Sequence, residues 1–465
     1  MLHKIKELFT SNEPHQLIKL LAIVLATMAV FSLIGVNLMN VEYVLAVDLI
    51  IFILTLFVRF INFGFYALVF FYPFVGWQLF YAKFDAPYVD LVAMLLLAAY
   101  LIRLIVGLEK KEKIFSWKNF PGVVFAALFF IASALSLFNT DYTLTMSSLK
   151  YLVRPIIFFY VMFVLLPFNL IKDKKTLQNA LKIILFDGAI VSLIGILAVS
   201  ASNVAWYLRR AIPFSFGNFD PLGGNQNAIA EALAVAIPCA LILFILAKTI
   251  RAKNWYLVST MIMTLVLILT FSLAGWLALF LEILILFFVK FWHKFEKTTL
   301  ILIVLALIVI PAAFYFTVWH NLDFLQASNA NRIMMTKIAA YSFAQHPIIG
   351  NGLNSFQRIL GSTFTYTVEF ADPLDSHGFV QKILTESGIL GFVSFMVLLG
   401  YLWKRYLKAY IAAKRLPINS DVILLFIAMF SGIIAFELFS TSYFIAKTWL
   451  PIGIGLIGVK LYSEY

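Results

Sequence analysis

One histidine and a small set of arginines are the residues of this chain whose chemistry stands out from an apolar background. His377 follows Asp375-Ser376 and precedes an apolar run that carries Gly388 and Gly391. An imidazole has an ordinary pKa of about 6.5, so it can accept a proton from an attacking hydroxyl near neutral pH. Guanidinium groups match phosphate oxygens with paired hydrogen bonds. Together these residue types indicate a hydroxyl attack beside a phosphorylated ligand.

The arginines are informative because of where they fall along the chain. Arg154 lies inside an apolar run, where a charge is costly unless it faces a partner or a wet cavity. Arg209, Arg210, Arg332 and Arg358 lie in polar segments that are otherwise poor in lysine. Each loop arginine could instead be solvated or contact lipid headgroups, and the side chain of Arg154 could extend to the headgroups. As a set, the five indicate an anionic ligand.

Two polar segments carry His377 and all of these arginines except Arg154. In the loop 201–226, glycines and amides run up to Asn227 at the start of a helix, where backbone N–H groups and the helix dipole can bind an anion. The second segment is an insert of about sixty residues, 319–377, and polar inserts of that length are usually functional. Helical periodicity over 331–345 places Arg332 in a first turn, and one face of this helix is predicted to hold Met334, Ile338 and Tyr341.

The helix after the insert is predicted to begin at His377, with Asp375-Ser376 as its cap. At about 100° per residue, His377 and Gln381 share one stripe with the two glycines, so this stripe should face other helices rather than lipid. A histidine hydrogen-bonded to a loop carbonyl is the structural alternative. His346, in a turn before a proline, is interpreted as structural.

The elements that must position these groups are membrane helices. Hydrophobic residues make up 63% of the chain and charged residues 12%. Repeated apolar runs of about twenty residues predict an all-α polytopic membrane protein. It should form a single integral membrane domain, 1–465, with the insert 319–377 as an extracytoplasmic loop bearing short amphipathic helices. About fourteen transmembrane helices are expected, near 17–36, 43–58, 61–80, 88–107, 120–138, 148–168, 178–200, 227–247, 255–272, 275–290, 298–318, 378–402, 421–440 and 448–463.

Charge and cysteine content narrow the possible partners. The formal net charge of +12 lies largely in short loops between the predicted spans, which is typical of membrane orientation and not of nucleic-acid binding. Placing these loops inside predicts that both termini are cytoplasmic and that the insert is extracytoplasmic. Cys239 is the only cysteine, so neither a disulfide nor a thiolate metal site is expected. No cofactor or metal is predicted.

Four sequences form a recognisable set: Gln226-Asn227-Ala-Ile-Ala after the basic loop; Thr270-Phe-Ser272 before Trp276; Asn331-Arg332 before His346-Pro347-Ile-Ile-Gly350-Asn-Gly352; and Asp375-Ser376-His377 before Glu386-Ser-Gly388. This set resembles the motifs of the bacterial O-antigen ligase and O-antigen polymerase superfamily, over about Ala132 to Tyr462.

This resemblance implies an inverting, metal-independent transfer of a glycan from an undecaprenyl-pyrophosphate carrier to an acceptor hydroxyl. The reaction would occur at the outer face of the bacterial plasma (inner) membrane. His377 is implied to be a base or a group that positions the acceptor. Arg210 and Arg332 are implied to grip the pyrophosphate, with Arg209 as the neighbouring possibility. The acceptor stays open among a lipid A core, a growing polymer, a protein and a wall polymer.

The chain departs from the family pattern at one position. Relatives usually carry Ser-Arg where this chain has Ser272-Leu273, so one arginine of the expected clamp is missing. Arg154 could take its place, which is a hypothesis. Asn227, Gln381 and Arg358 complete the candidate substrate-binding residues.

Two other classes of function compete with a transferase. A transporter or flippase of lipid-linked oligosaccharides would also have many spans and basic groups. It should, however, carry charges through the membrane midplane and show symmetry between its halves. A structural subunit would need neither an inward-facing histidine nor an arginine cluster. The polar residues concentrate on one side of the predicted membrane domain, which favours chemistry at a surface.

Overall fold

The computed structural model describes residues 8–9, 13–35, 40–81, 84–108, 120–201, 209–214, 220–291 and 323–463. The span expected at 298–318 and the first residues of the insert lie outside this part of the chain.

The regular secondary structure of the described residues is helical apart from one short antiparallel hairpin, β1 (Gln78–Tyr81) with β2 (Phe84–Pro87). Single turns of 3-10 helix occur at Leu137–Asn139, Tyr142–Leu144 and Ser442–Phe444, and π-helical winding occurs at Val153–Phe158 and Tyr160–Leu165. The α-helices are α1 (Pro14–Gly35), α2 (Val41–Arg59), α3 (Ile61–Phe71), α4 (Tyr88–Ile105), α5 (Val123–Ser136), α6 (Thr145–Leu152), α7 (Leu166–Leu170), α8 (Lys174–Ala201), α9 (Gln226–Leu246), α10 (Ile250–Leu269), α11 (Leu273–Phe291), α12 (Asp323–Gln345), α13 (Phe356–Ser362), α14 (Phe364–Phe370), α15 (Phe379–Ala413), α16 (Pro417–Glu437) and α17 (Ala446–Ser463).

Nine helices in the described part of the chain are long and apolar enough to cross a membrane: α1, α2, α4, α8, α9, α10, α11, α15 and α16. This confirms the all-α polytopic membrane class. The count of fourteen stays a prediction. The segments expected at 61–80, 120–138 and 148–168 contain shorter or interrupted helices.

The centre of the structure is formed by α9, α16 and α17, which are buried on nearly every face. Each is apolar around its whole circumference, as expected of a helix surrounded by other helices. Small residues permit close approach: Gly453 lies against the backbone of Phe163, and Gly455 against the ring of Tyr406. The ends of these central helices form part of the wall of a polar cavity.

Helix α15 is interrupted at Gly388, which has φ 63° and ψ −162°. The N–H of Ile389 donates to the carbonyl oxygen of Pro347 at 2.9 Å, and the N–H of Leu390 donates to that of Ile348 at 3.2 Å. In a broken helix these two N–H groups would lack acceptors, and the polar insert provides the acceptors instead.

The same segment, residues 346–355, here called the GNG loop, also satisfies the other side of the break. The carbonyl oxygen of Thr385 accepts from the N–H of Asn351 at 2.9 Å, and that of Glu386 accepts from the N–H of Gly352 at 3.1 Å. A Cβ at Gly350 would overlap the backbone of Glu386. Both glycines of the loop have positive φ, which explains the residue type at each.

Residues 139–148 support the GNG loop from its other side. The amide of Asn139 donates to the carbonyl oxygen of Gly350 at 2.7 Å, and the hydroxyl of Ser148 donates to that of Leu353 at 2.6 Å. The insert is therefore fixed both to α15 and to the chain around the start of α6.

Two local predictions about the insert are wrong. Helix α12 begins at Asp323, so Arg332 lies in its third turn rather than its first. Its buried face contains Met335, Ile338 and Ala339, and Met334 is partly buried against them, so two of the three residues of the predicted face pack inward. The prediction is wrong for Tyr341, whose side chain is 70% exposed.

We expect Gly388→Ala to destabilise the chain by on the order of 2–4 kcal/mol, because it adds a Cβ at positive φ. That Cβ would lie 2.5 Å from the carbonyl oxygen of Ile348. Thermal unfolding of the purified protein in detergent checks this. Gly400→Ala is the matched control, since a Cβ there meets nothing within 4 Å. Equal melting temperatures for the two variants would contradict the structural role of the break.

Candidate functional site

A polar cavity of about 390 Å³ lies between the start of α9, the segment before α15 and the turn from α16 to α17. Its wall combines amide, hydroxyl, carboxyl, imidazole and ammonium groups. These groups include the side chains of Asn227, Glu231, Asp375, His377, Ser442 and Lys447. Two residues predicted from the sequence, His377 and Asn227, therefore line the same cavity.

His377 is half-buried and precedes α15, which begins two residues later after Gly378. Burial lowers the pKa of its imidazole to about 4, the charge of Arg332 contributes to the lowering, and the charge of Asp375 opposes both. The ring is therefore neutral at neutral pH. A neutral imidazole can accept a hydrogen bond from a hydroxyl, but one with so low a pKa is a weak proton acceptor.

Asp375 does not cap α15 as predicted. Its two carboxylate oxygens accept hydrogen bonds from Lys382 Nζ at 2.8 and 2.6 Å, and Oδ1 also accepts from the N–H of Ser376. Lys382 is buried and lies over the rings of Tyr151 and Phe444. The N-cap of α15 is Gly378, and no side chain caps it. Lys382 was not predicted as a site residue, although a lysine shortly after the motif in an apolar run was a signal.

Gln381 connects the first turn of α15 to the helix that carries Arg332. Its Nε2 donates to Thr336 Oγ1 at 2.6 Å, and that hydroxyl donates to the carbonyl oxygen of Arg332 at 2.8 Å. In this structure Gln381 thus helps to fix the helical turn of Arg332 relative to His377.

Arg210 lies at the same end of the helices as the cavity. The N–H of Ala211 donates to the carbonyl oxygen of Leu269 at the end of α10. In the next turn, the hydroxyl of Ser272 donates to the side-chain oxygen of Asn227 at 2.7 Å, which links this corner to the cavity wall. Burial lowers the pKa of Arg210, but a guanidinium stays charged at neutral pH.

Arg209 precedes Arg210 in the described segment 209–214 and is, like it, partly buried. It stays a candidate neighbour of the arginine pair.

Two further candidate arginines form ion pairs instead of lining the cavity. Arg154 Nη2 lies 2.8 Å from a carboxylate oxygen of Asp90, and Arg358 Nη2 lies 2.9 Å from one of Asp141. Hydrogen bonds from Thr143 and then from Arg358 lower the pKa of Asp141 to about 2. The replacement of the missing arginine by Arg154 stays a hypothesis, and its partner in this structure is Asp90.

The fold and the cavity define a polytopic membrane protein with a polar site at one end of its helices. The family model described as O-antigen ligase matches residues 258–396. Over these residues the match confirms the predicted resemblance to the O-antigen ligase and polymerase superfamily, and it supports an enzyme of that broad kind. The matched stretch includes Arg332 and His377, whereas Arg210 and Glu231 precede it.

The similarity to solved structures is weaker than the match to the family model. A chain from "Structural coordination of polymerization and crosslinking by a peptidoglycan synthase complex" is similar with a TM-score of 0.41 and 16% sequence identity. The match covers 75% of this chain and 99% of that one. At this level the similarity supports no functional conclusion. No curated protein matches the chain.

The folded chain should lose stability as the pH falls from about 6.5 toward 4, in part through His377. Between pH 6.5 and pH 4 the imidazole is protonated in the unfolded chain but not in the folded chain. The free energy of unfolding is therefore unaffected by His377 above the usual imidazole pKa of 6.5 and decreases as the pH falls below it. Thermal unfolding at several pH values checks this. His377→Gln should flatten the dependence. A slope equal to that of the wild type would contradict the burial of His377.

Proposed function

We propose that the chain transfers a glycan from an undecaprenyl-pyrophosphate carrier to an acceptor hydroxyl at the outer face of the bacterial plasma membrane. The observation that carries this proposal is the neutral imidazole of His377, which lines a polar cavity while Arg332 lies near enough for its charge to lower the imidazole pKa. A site for a hydroxyl and a site for an anion therefore adjoin. The match to the O-antigen ligase family supports the same reaction class.

The proposed step is a single displacement at the anomeric carbon of the donor glycan. The acceptor oxygen forms a bond to that carbon from the face opposite the diphosphate. The carbon–oxygen bond to the diphosphate breaks, and its electron pair stays on the leaving oxygen. The hydroxyl proton passes to a base in the cavity. One inversion results, and no covalent intermediate with the protein is needed.

The arginines act on the leaving group. The diphosphate gains negative charge as the bond breaks, and guanidinium groups already fixed in place stabilise that charge more than they stabilise the donor itself. The main chain of Arg332 lies within α12, and the residue after Arg210 is hydrogen-bonded to the end of α10. We assign the diphosphate to this pair, with Arg209 as a neighbour.

His377 is assigned to the acceptor. A ring that is neutral at neutral pH offers one nitrogen to accept the hydrogen bond of the attacking hydroxyl. Aligning that hydroxyl with the anomeric carbon raises the rate by proximity and orientation.

The orientation follows from the lysine-rich loops. Arg251 and Lys253 begin α10, at the end opposite the turn that carries Ser272, and we place that end in the cytoplasm. The cavity then faces outward, and both termini are cytoplasmic.

Binding of undecaprenyl pyrophosphate to the purified chain in nanodiscs tests the arginine assignment independently of the sugar. Arg332→Ala and Arg210→Ala should each weaken binding by about 10- to 100-fold, the usual effect of losing a charge-assisted hydrogen bond. Arg251→Ala is the matched control, since this exposed arginine lies at the other end of α10. Equal affinity in all three variants would remove the two arginines from the site.

The transfer reaction is tested with lipid-linked glycans extracted from cells that lack this chain, supplied with a washed envelope fraction from the same cells. The wild-type chain should attach the glycan to an acceptor in that fraction, and His377→Ala should lower the rate by about 100-fold or more. Equal product from both proteins would refute the assignment of His377. Absence of both transfer and undecaprenyl-pyrophosphate binding in the wild type would refute the proposed function.

A further inference from the structure

We propose that the 390 Å³ cavity is the subsite for an acceptor sugar and that Glu231 on its wall takes the proton released by the attacking hydroxyl. This inference rests on the proposed function and deepens it. It divides the site into an anionic-ligand half formed by arginines and a hydroxyl-binding half formed by the cavity.

Glu231 is available for such a contact. It lies on α9, one helical turn beyond Asn227, and the residue is only 8% exposed. Its Oε2 accepts a hydrogen bond from the hydroxyl of Ser442 at 3.3 Å. Its Oε1 is buried and has no hydrogen-bond partner among the described residues. A buried carboxylate oxygen without a partner is costly, and a ligand hydroxyl would satisfy it.

Lys447 compensates the charge of this carboxylate. Its Nζ lies 3.9 Å from Glu231 Oε2 and donates to the carbonyl oxygen of Leu222 at 3.4 Å. An ammonium at that distance offsets part of the cost of holding a carboxylate away from bulk water. The pair lies between the ends of two central helices, where an ionisable residue is a functional hypothesis by default.

The chemistry of the cavity fits a sugar. Its polar groups are chiefly amides, hydroxyls and carboxylates, which hydrogen-bond to hydroxyl groups, and its volume lies within the range of about 300–1,000 Å³ usual for small-molecule sites. The arginines assigned to the diphosphate, Arg210 and Arg332, are not among its described lining residues. His377 lines the cavity, and the charge of Arg332 lowers the pKa of its imidazole. The two halves of the site therefore meet at this residue.

In this arrangement the acceptor hydroxyl donates to Glu231 as its oxygen bonds to the anomeric carbon. The proton moves to the carboxylate, and the electron pair of the broken bond leaves on the diphosphate. His377, whose pKa is lowered to about 4, keeps the hydroxyl aligned without having to hold the proton. The groups that act electrostatically on Glu231 or its partner Lys447 are Tyr72, Asp220 and Glu437, with His377 and Asp375 elsewhere on the cavity wall.

The test compares Glu231→Gln with wild type in the transfer assay over a range of pH. The substitution keeps the shape of the side chain but removes its ability to take a proton. We expect kcat to fall by about 100-fold or more and the acid limb of the pH–rate profile to disappear. Affinity for undecaprenyl pyrophosphate should stay within about twofold of wild type, because the arginines are intact.

Glu282→Gln is the matched control. Glu282 is also a buried glutamate with an unpartnered oxygen, but it does not line the cavity, so its variant should keep the wild-type rate and pH profile. Glu231→Asp keeps the negative charge beside Lys447, and it is the variant to measure if Glu231→Gln does not fold. It should slow transfer about tenfold and retain the acid limb.

The inference is overturned if Glu231→Gln transfers at the wild-type rate or keeps the wild-type pH profile, or if Glu231→Asp is as fast as wild type. In those cases the proton goes elsewhere, with His377 the first alternative, while the proposed function stands. A wild-type chain that neither transfers glycan nor binds undecaprenyl pyrophosphate would overturn both proposals.

Discussion

Backbone hydrogen bonding across the break at Gly388 is the constraint on which the site geometry depends. A membrane helix cannot leave carbonyl and N–H groups unpaired in an apolar environment, so a broken helix needs a partner segment. The GNG loop is that partner, and it is continuous with α12, which carries Arg332. The helix that is completed in this way begins directly after His377 and Gly378. The position of His377 relative to the helix that carries Arg332 is therefore set by main-chain hydrogen bonds and by the link from Gln381 to Thr336.

Two pairs of a buried lysine with a carboxylate lie at the cavity: Lys382 with the half-buried Asp375, and Lys447 with the buried Glu231. Buried ion pairs are weak evidence for stability, since desolvation offsets most of their attraction. Their presence at the helix ends that border the cavity is better explained by a need for fixed charge beside a polar ligand. Asp375 partly offsets the effect of Arg332 on the pKa of His377, and Lys382 fixes the position of Asp375. The Lys382–Asp375 pair thus affects the site through the pKa of His377, whereas Lys447 and Glu231 themselves line the cavity.

The class of fold and part of the site could be predicted because hydropathy and motif spacing are local properties. Helices α9 and α11 begin within two residues of their predicted starts, and His377 and Asn227 line one cavity. The roles of Glu231 and Lys447 could not be predicted, since burial and pairing arise only from tertiary contacts. For Lys382 the sequence carried a signal, a lysine in an apolar run, but it did not identify Asp375 as the partner. Gly350 and Gly388 were identified as motif residues. Their structural role, a close contact between two main-chain segments, involves no side chain and so could not be inferred from the sequence. Arg154 and Arg358 looked like ligands of an anion because their carboxylate partners are distant in sequence.

Charge balance connects the proposed reaction to this arrangement. When the acceptor proton reaches Glu231, the ammonium of Lys447 loses its compensating carboxylate, and at the same moment the departing diphosphate gains negative charge. The two changes have opposite sign at one end of the helices, so the site as a whole gains no net charge away from bulk water. A site that used Glu231 alone, without Lys447, would have to hold a bare carboxylate before the reaction. The lysine therefore matters before the transfer, when it stabilises the base, and after it, when its charge opposes that of the leaving group.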